Sequence, residues 1–153
     1  MQSLHAEIER DLGFGLVPNL FREADAAPDV ARGLWEAFRG VVMQGELPRT
    51  VKEMMGVMVS VRAGSPYAAQ VHLHALTLQG TDQTILRALE RGEIVEGLPE
   101  PQRRLLAFAA QPERALLDGH FSEAEIREAV ATVGVYRWIN LWTDTLAVPI
   151  DPL

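Results

Sequence analysis

Glu53 and His72 are the two side chains of this sequence best suited to moving a proton. Glu53 stands in the run VKEMMGVMVSV, where nearly every residue after Lys52 is apolar, so a helix through it would half-bury the carboxylate. Burial disfavours the charged form and a neighbouring cation favours it, so the protonation state of Glu53 turns on a partner that local sequence does not reveal. The plain alternative is an exposed glutamate on the polar edge of the helix. His72 lies in the next segment, on the side shared with Ala68, Ala75, Leu76 and Gln79, whose small members leave the ring room. Facing each other across a helix pair, Glu53 and His72 would make a carboxylate–imidazole couple fit for general acid–base work. Read alone, His72 suits a buried structural role better.

Other pairings are weaker. His74 invites a metal reading with His72, but residues two apart on a helix point roughly 200° apart and cannot share an ion. Ser65 and His72 suggest a hydrolase dyad, yet seven helical residues separate them by roughly 10 Å of axial rise, beyond hydrogen-bond reach. Ser65 followed by Pro66 reads instead as a helix N-cap with proline at the first helical position. The glycines are scattered and follow no strand, so neither a phosphate-cradling loop nor a dinucleotide fingerprint is present and no cofactor is implied.

The elements that must position these residues are helices. Proline and glycine punctuate the chain, and few runs are rich enough in β-branched or aromatic residues to be strands. The reading is an all-α fold, a compact helical domain spanning residues 1–153 around a central antiparallel helix hairpin. A short helix is expected over about 3–12 and another from Val17-Pro18 to near Ala27, as packing arms. Val30, Leu34, Trp35, Phe38, Val41 and Val42 recur at the helical period over 29–44. Pro48 opens a helix running to Gly64, with Met54, Met55 and Met58 filling core gaps rather than binding metal. Ser65-Pro66 opens the hairpin's second arm, which stops at Gly80. Further helices are expected over about 82–91 and 100–110, with a turn to about Leu117. Ser122-Glu123-Ala124-Glu125 is a capping-box pattern that starts a last helix reaching about Ala147. That helix is apolar on several sides, through Val135, Trp138, Ile139, Leu141 and Trp142, and needs cover either from the core or from a second subunit.

Composition excludes several classes of function. The 153 residues are 48% hydrophobic and 23% charged, as in ordinary folded domains. Fourteen basic against 21 acidic side chains give a formal net charge of -7, without the clustered Lys and Arg that nucleic acid demands. No stretch approaches about 18 apolar residues, and MQSLHAEIERDLG carries acids where a signal peptide would be basic and then apolar, so a cytoplasmic protein without membrane contact is expected. The absence of cysteine removes disulfides, Cys-ligated zinc, iron–sulfur clusters and thiol nucleophiles together.

Taken as a set, Glu53, Ser65, Pro66, Tyr67, Ala68 and His72 resemble the motif of alkylhydroperoxidase D-like proteins, which belong with the carboxymuconolactone decarboxylases. That pattern is a Glu, a Cys-x-x-Cys beginning twelve residues later, and a His four residues beyond the second cysteine; Glu53, Ser65, Ala68 and His72 keep the spacing. GLVPNLF, the helix from Pro28, the GELP turn, and DGHFSEAEI leading into YRWINLWTDTLAVPID extend the likeness over nearly the whole chain, particularly to the peroxidase-related branch. In the family a helix N-terminus lowers the thiol pKa and the Glu and His relay the proton.

Ser65 and Ala68 occupy the two thiol positions here, and neither can form a disulfide or attack a peroxide as a thiolate. The resemblance therefore implies a scaffold without thiol peroxidase activity that persists as a small-molecule-binding or structural protein. It also carries over Glu53 and His72 as candidate site residues, with Ser65 or Tyr67 orienting a substrate if the couple acts as a cofactor-free enzyme on a small carbonyl or lactone. A homo-oligomer, trimer or hexamer, is implied as well.

Overall fold

The computed structural model describes residues 2–153, and among them helices are the only regular elements. They run α1 (Gln2–Leu12), α2 (Asn19–Arg22), α3 (Pro28–Val42), α4 (Arg49–Ala63), α5 (Pro66–Leu78), α6 (Gln83–Glu90), α7 (Glu100–Ala110) and α8 (Glu123–Thr145). The fold is all-α, as expected, with one helix pair at its centre. The arm expected from Val17 to Ala27 is divided: α2 lasts one turn and gives way to a 3-10 turn over Glu23–Ala26. The last helix stops at Thr145, two residues short of expectation, because Ala147 turns into the left-handed region at φ 51°.

α4 is the axis of the molecule. Each residue from Val51 to Ser60 is buried, because α5, α7 and α8 pack around it and α6 closes one flank. Met54, Met55 and Met58 are all core residues. Apolar side chains of this size contribute about 1.5–3 kcal/mol each on burial, which favours enclosing the helix. Lys52, Glu53 and Ser60 are enclosed with them, and buried polar groups are costly unless each finds a partner.

The turn into α5 is tight and chemically specified. Gly64 adopts φ 70°, the Ser65 N–H bonds the Ser60 carbonyl at 2.9 Å, and the Gly64 N–H bonds that of Val61 at 3.1 Å, a Schellman ending. Pro66 then starts α5 with its φ already helical. The antiparallel register is fixed at the far end, where the Thr50 hydroxyl donates to the Gln79 side-chain oxygen at 2.6 Å.

α8 opens with the capping box expected, Ser122 and Glu125 bonding reciprocally. Glu128, one turn on, ties the α3–α4 connection to this helix. Its carboxylate accepts from Lys52 Nζ at 2.5 Å and from the backbone N–H groups of Glu46 and Leu47 at 2.8 and 3.2 Å. Lys52 also donates to the carbonyls of Val41 and Gln44 near the end of α3. The same carboxylate lies where a side chain at residue 45 would begin, so Gly45, at φ 108°, is required twice over. Burial alone raises the Glu128 carboxyl, but the bonds from Lys52, Glu46 and Leu47 outweigh it and hold the group below the usual carboxylate range.

α1 docks through Glu7, which accepts from Trp35 Nε1 at 2.8 Å, Arg39 at 2.9 Å and Arg32 at 3.0 Å. The Trp35 bond first, then Arg32, hold the Glu7 carboxyl below its ordinary value. No helix among the described residues is long and apolar enough to cross a membrane.

Candidate functional site

The hairpin brings Glu53 and His72 together. Glu53 Oε2 lies 2.8 Å from His72 Nδ1, and the two residues are 1% and 2% exposed. Glu53 is thus enclosed rather than half-buried or on a polar edge. The small neighbours expected to leave His72 room leave none: the ring fills the space beside Gly56 of α4, where an added Cβ would sit 2.8 Å from ring atoms. On its other side Tyr136 of α8 meets it at a ring-centroid distance of 4.4 Å and 72°. The imidazole is wedged between a carboxylate, a glycine backbone and a phenol.

A carboxylate can only accept, so an ionised Glu53 takes its hydrogen bond from Nδ1 of the ring. Among the described residues Nε2 has no hydrogen-bond partner, and neither has the Tyr136 hydroxyl, although both are buried. Burial, and then the Glu53 charge, push the Tyr136 phenol well above its usual range, so it is a neutral O–H. Arg49, one helical turn before Glu53, places Nε 3.4 Å from the other carboxylate oxygen, Oε1. Its i, i+4 spacing to Glu53 is a signal readable in sequence. Tyr136 gives no comparable sign, because only the packing of α8 on the hairpin brings it to His72.

Ser65 corrects the capping expectation. It occupies the N-cap position, but its hydroxyl makes no bond to the first turn of α5; it donates to Asp144 Oδ1 of α8 at 2.8 Å. A neighbouring bond joins the same helices, from Ser60 Oγ to Asn140 Oδ1 at 3.0 Å. Ala68 is buried in the core.

Tyr67 belongs to a different constellation. Its hydroxyl donates to Asp151 Oδ2 at 2.5 Å and accepts from the Leu20 N–H at 2.9 Å, while Asp151 Oδ1 accepts the Asn19 N–H at 2.8 Å. Burial and the Asp151 bond push its pKa far up. The α2 turn, the start of α5 and the segment after α8 are thereby clamped at one point. Tyr67→Phe is expected to cost about 2 kcal/mol, since it strands a buried N–H and takes a donor from a buried carboxylate, and urea denaturation measures it.

His74 turns away from His72 and meets Phe14 edge-on at 5.1 Å. Among the described residues no group of three or more His, Asp or Glu side chains converges in a way that could hold a metal ion.

Residues 28–111, more than half of the sequence, match the carboxymuconolactone decarboxylase family. The chain belongs to that family. No curated protein matches it in sequence. Solved structures place this carboxymuconolactone decarboxylase family member among alkylhydroperoxidase D-like folds. A peroxidase-related protein from Silicibacter sp. TM1040 is 19% identical with a TM-score of 0.86, over 99% of this chain and 84% of that one. The alkylhydroperoxidase core of a peroxidase-related protein from Ralstonia eutropha JMP134 is 18% identical with a TM-score of 0.85, over 99% and 87%. The debrominase Bmp8, in a complex with 2,3,4-tribromopyrrole, is 21% identical with a TM-score of 0.83, over 98% and 84%. Identities this low establish the shared fold.

Proposed function

We propose that this family member works without thiol peroxidase activity, as a small-molecule-binding or structural oligomer of the cytoplasm. The observation that carries the reading is the state of the two thiol positions. Ser65 is a hydroxyl committed to Asp144, and Ala68 is a methyl group sealed in the core. Neither supplies the thiolate that attacks a peroxide or the partner that resolves it. The purified chain is expected to leave cumene hydroperoxide unreduced in the presence of a dithiol reductant. Turnover by protein free of contaminating peroxidase would refute the reading, and the Ser65→Cys/Ala68→Cys double variant supplies the comparison with the thiols in place.

The oligomer, a trimer or hexamer, would use the outer face of α8. Val130, Trp138 and Leu141 are exposed there on one stripe with Gly134, and Leu141 shows 68% of its surface to solvent. A face of this kind is costly to leave wet. Light scattering at micromolar concentration is expected to give a multiple of 16.9 kDa; a monomer alone would count against assembly.

A second reading, a cofactor-free acid–base enzyme on a small carbonyl or lactone, is favoured by one specific feature. Nδ1 of His72 is anchored on Glu53 while Nε2 is unpartnered, the arrangement of an imidazole held ready to accept a proton. Proton exchange α to the carbonyl of small lactones, followed by NMR in heavy water, tests it. His72→Gln and Glu53→Gln are each expected to slow exchange by roughly 10²–10⁴. Equal rates in both variants would rule these roles out.

A further inference from the structure

Arg49 gives the buried couple a polar connection to the surface. A cleft of about 350 Å³ opens at the end of the hairpin away from Ser65, lined by Leu12, Phe14, Arg49, Ala75, Leu78 and Gln79. One lip is the α1–α2 connection, which turns at Gly13 and Gly15 with φ of 72° and 73°. The opposite lip is the last turn of α5, pinned by the Thr50–Gln79 bond. The walls are about equally polar and apolar, and Arg49 is the one ionised side chain among those lining the cleft.

Arg49 belongs to the cleft and to the couple at once. Its side chain is 30% exposed, yet its Nε reaches Glu53 Oε1 at 3.4 Å. That contact is long for a charge-assisted bond and uses one of five guanidinium N–H groups, and among the described residues it is the only hydrogen bond the Arg49 side chain makes. A planar cation with unused donors, in a cleft that also offers the apolar side chains of Leu12, Phe14, Ala75 and Leu78, is a receptor for a planar organic anion, because a carboxylate accepts two parallel N–H bonds and those side chains take up the rest of the molecule.

We infer that this cleft binds a small organic carboxylate whose acid group pairs with Arg49, and that pairing draws the guanidinium off Glu53. Arg49 thus acts as a latch between the solvent and the Glu53–His72 couple. Occupying the cleft removes the cation from Glu53 Oε1 and leaves His72 as the remaining partner of that carboxylate. The inference deepens the small-molecule-binding reading above by naming a ligand class, and it stands whether or not the chain turns a substrate over.

Benzoate is the probe, and 15N-edited NMR of the full chain at low salt is the measurement. Benzoate is expected to shift the amide signals of Leu12, Gly13, Phe14 and the Ala75–Gln79 turn together with the Arg49 Nε–H signal. Benzamide, which keeps the ring and loses the charge, is expected to bind about tenfold more weakly or worse, and Arg49→Gln to weaken benzoate by a similar factor. Glu53→Gln, which keeps the shape and removes the competing charge, is expected to tighten benzoate binding. Equal affinity for benzoate and benzamide, unchanged affinity in Arg49→Gln, or shifts confined to other surfaces would overturn the site. Weaker binding by a Glu53→Gln protein with a native spectrum would overturn the latch. Arg49 is partly exposed, so its variant is expected to keep the native amide spectrum and serves as the decisive one.

Discussion

Glu128→Ala is expected to destabilise the protein by about 3–5 kcal/mol. The reason lies in Lys52 rather than in Glu128. Lys52 is enclosed within α4 and is held by the Glu128 carboxylate and by the carbonyls of Val41 and Gln44. Removing its counter-charge leaves an ammonium in the core, and breaking one partner of a buried pair carries a penalty of that size. The loss also releases the N–H groups of Glu46 and Leu47. Lys52→Met is expected to cost much less, since it removes the buried charge, fills a similar volume, and leaves a carboxylate that keeps two backbone donors.

The same pair makes a pH prediction with a definite sign. The folded-state pKa of Glu128 is depressed, so its contribution is fully present above the ordinary carboxylate range and is lost as pH falls through the folded value. The stability gap between the native chain and Glu128→Ala is therefore widest near neutrality and closes in acid. Urea denaturation at several pH values checks both statements, and a gap that stays constant would mean that ionisation of Glu128 is irrelevant.

The second large effect is expected at Gly56. A Cβ there would lie 2.8 Å from His72 ring atoms, and the ring has no free direction, since Glu53 holds Nδ1 and Tyr136 covers another side. Gly56→Val places a Cβ and two further methyl groups into that contact, and overpacking of this kind costs about 3 kcal/mol. Gly56→Ala is expected to cost less, because the helix regains about 1 kcal/mol of propensity when glycine is replaced. A double-mutant cycle separates this contact from general strain. With His72→Ala opening the space, Gly56→Val should be tolerated, giving a coupling of about 1–3 kcal/mol between the two positions. Additive losses would show that the glycine serves some other neighbour.

The helical architecture was legible in the sequence because its signals are local. Proline at Pro28, Pro48 and Pro66 and the glycines at Gly64 and Gly80 mark helix ends, and Ser122 with Glu125 marks the start of α8. The pairing of Glu53 with His72 follows from the same short-range logic, since a tight hairpin with its turn at Gly64–Ser65 sets the register. Arg49 was within reach of that logic through its spacing to Glu53. What stayed illegible depends on α8. Glu128, Tyr136, Asn140 and Asp144 each supply a group to the hairpin or the turn before it, and no local pattern announces which residues of a 23-residue helix face inward at which height. Ser65 shows the consequence: its position beside Pro66 reads as a cap, and a distant aspartate takes the hydroxyl instead. Lys52 read as the polar border of an apolar run, whereas full enclosure of α4 makes it a core residue.

The clamp at Tyr67 has a bearing on how the chain is made. Asn19 and Asp151 are separated by 132 positions, and Tyr67 and Asp151 by 84. During synthesis α1 to α7 leave the ribosome with the Asn19 amide and the Tyr67 hydroxyl still lacking the carboxylate that joins them. Contacts of such long range form late. The start of α5, which follows Ser65 and carries Ala68, is therefore expected to stay open in the nascent chain and to become rigid only when the segment after α8 arrives and closes over it.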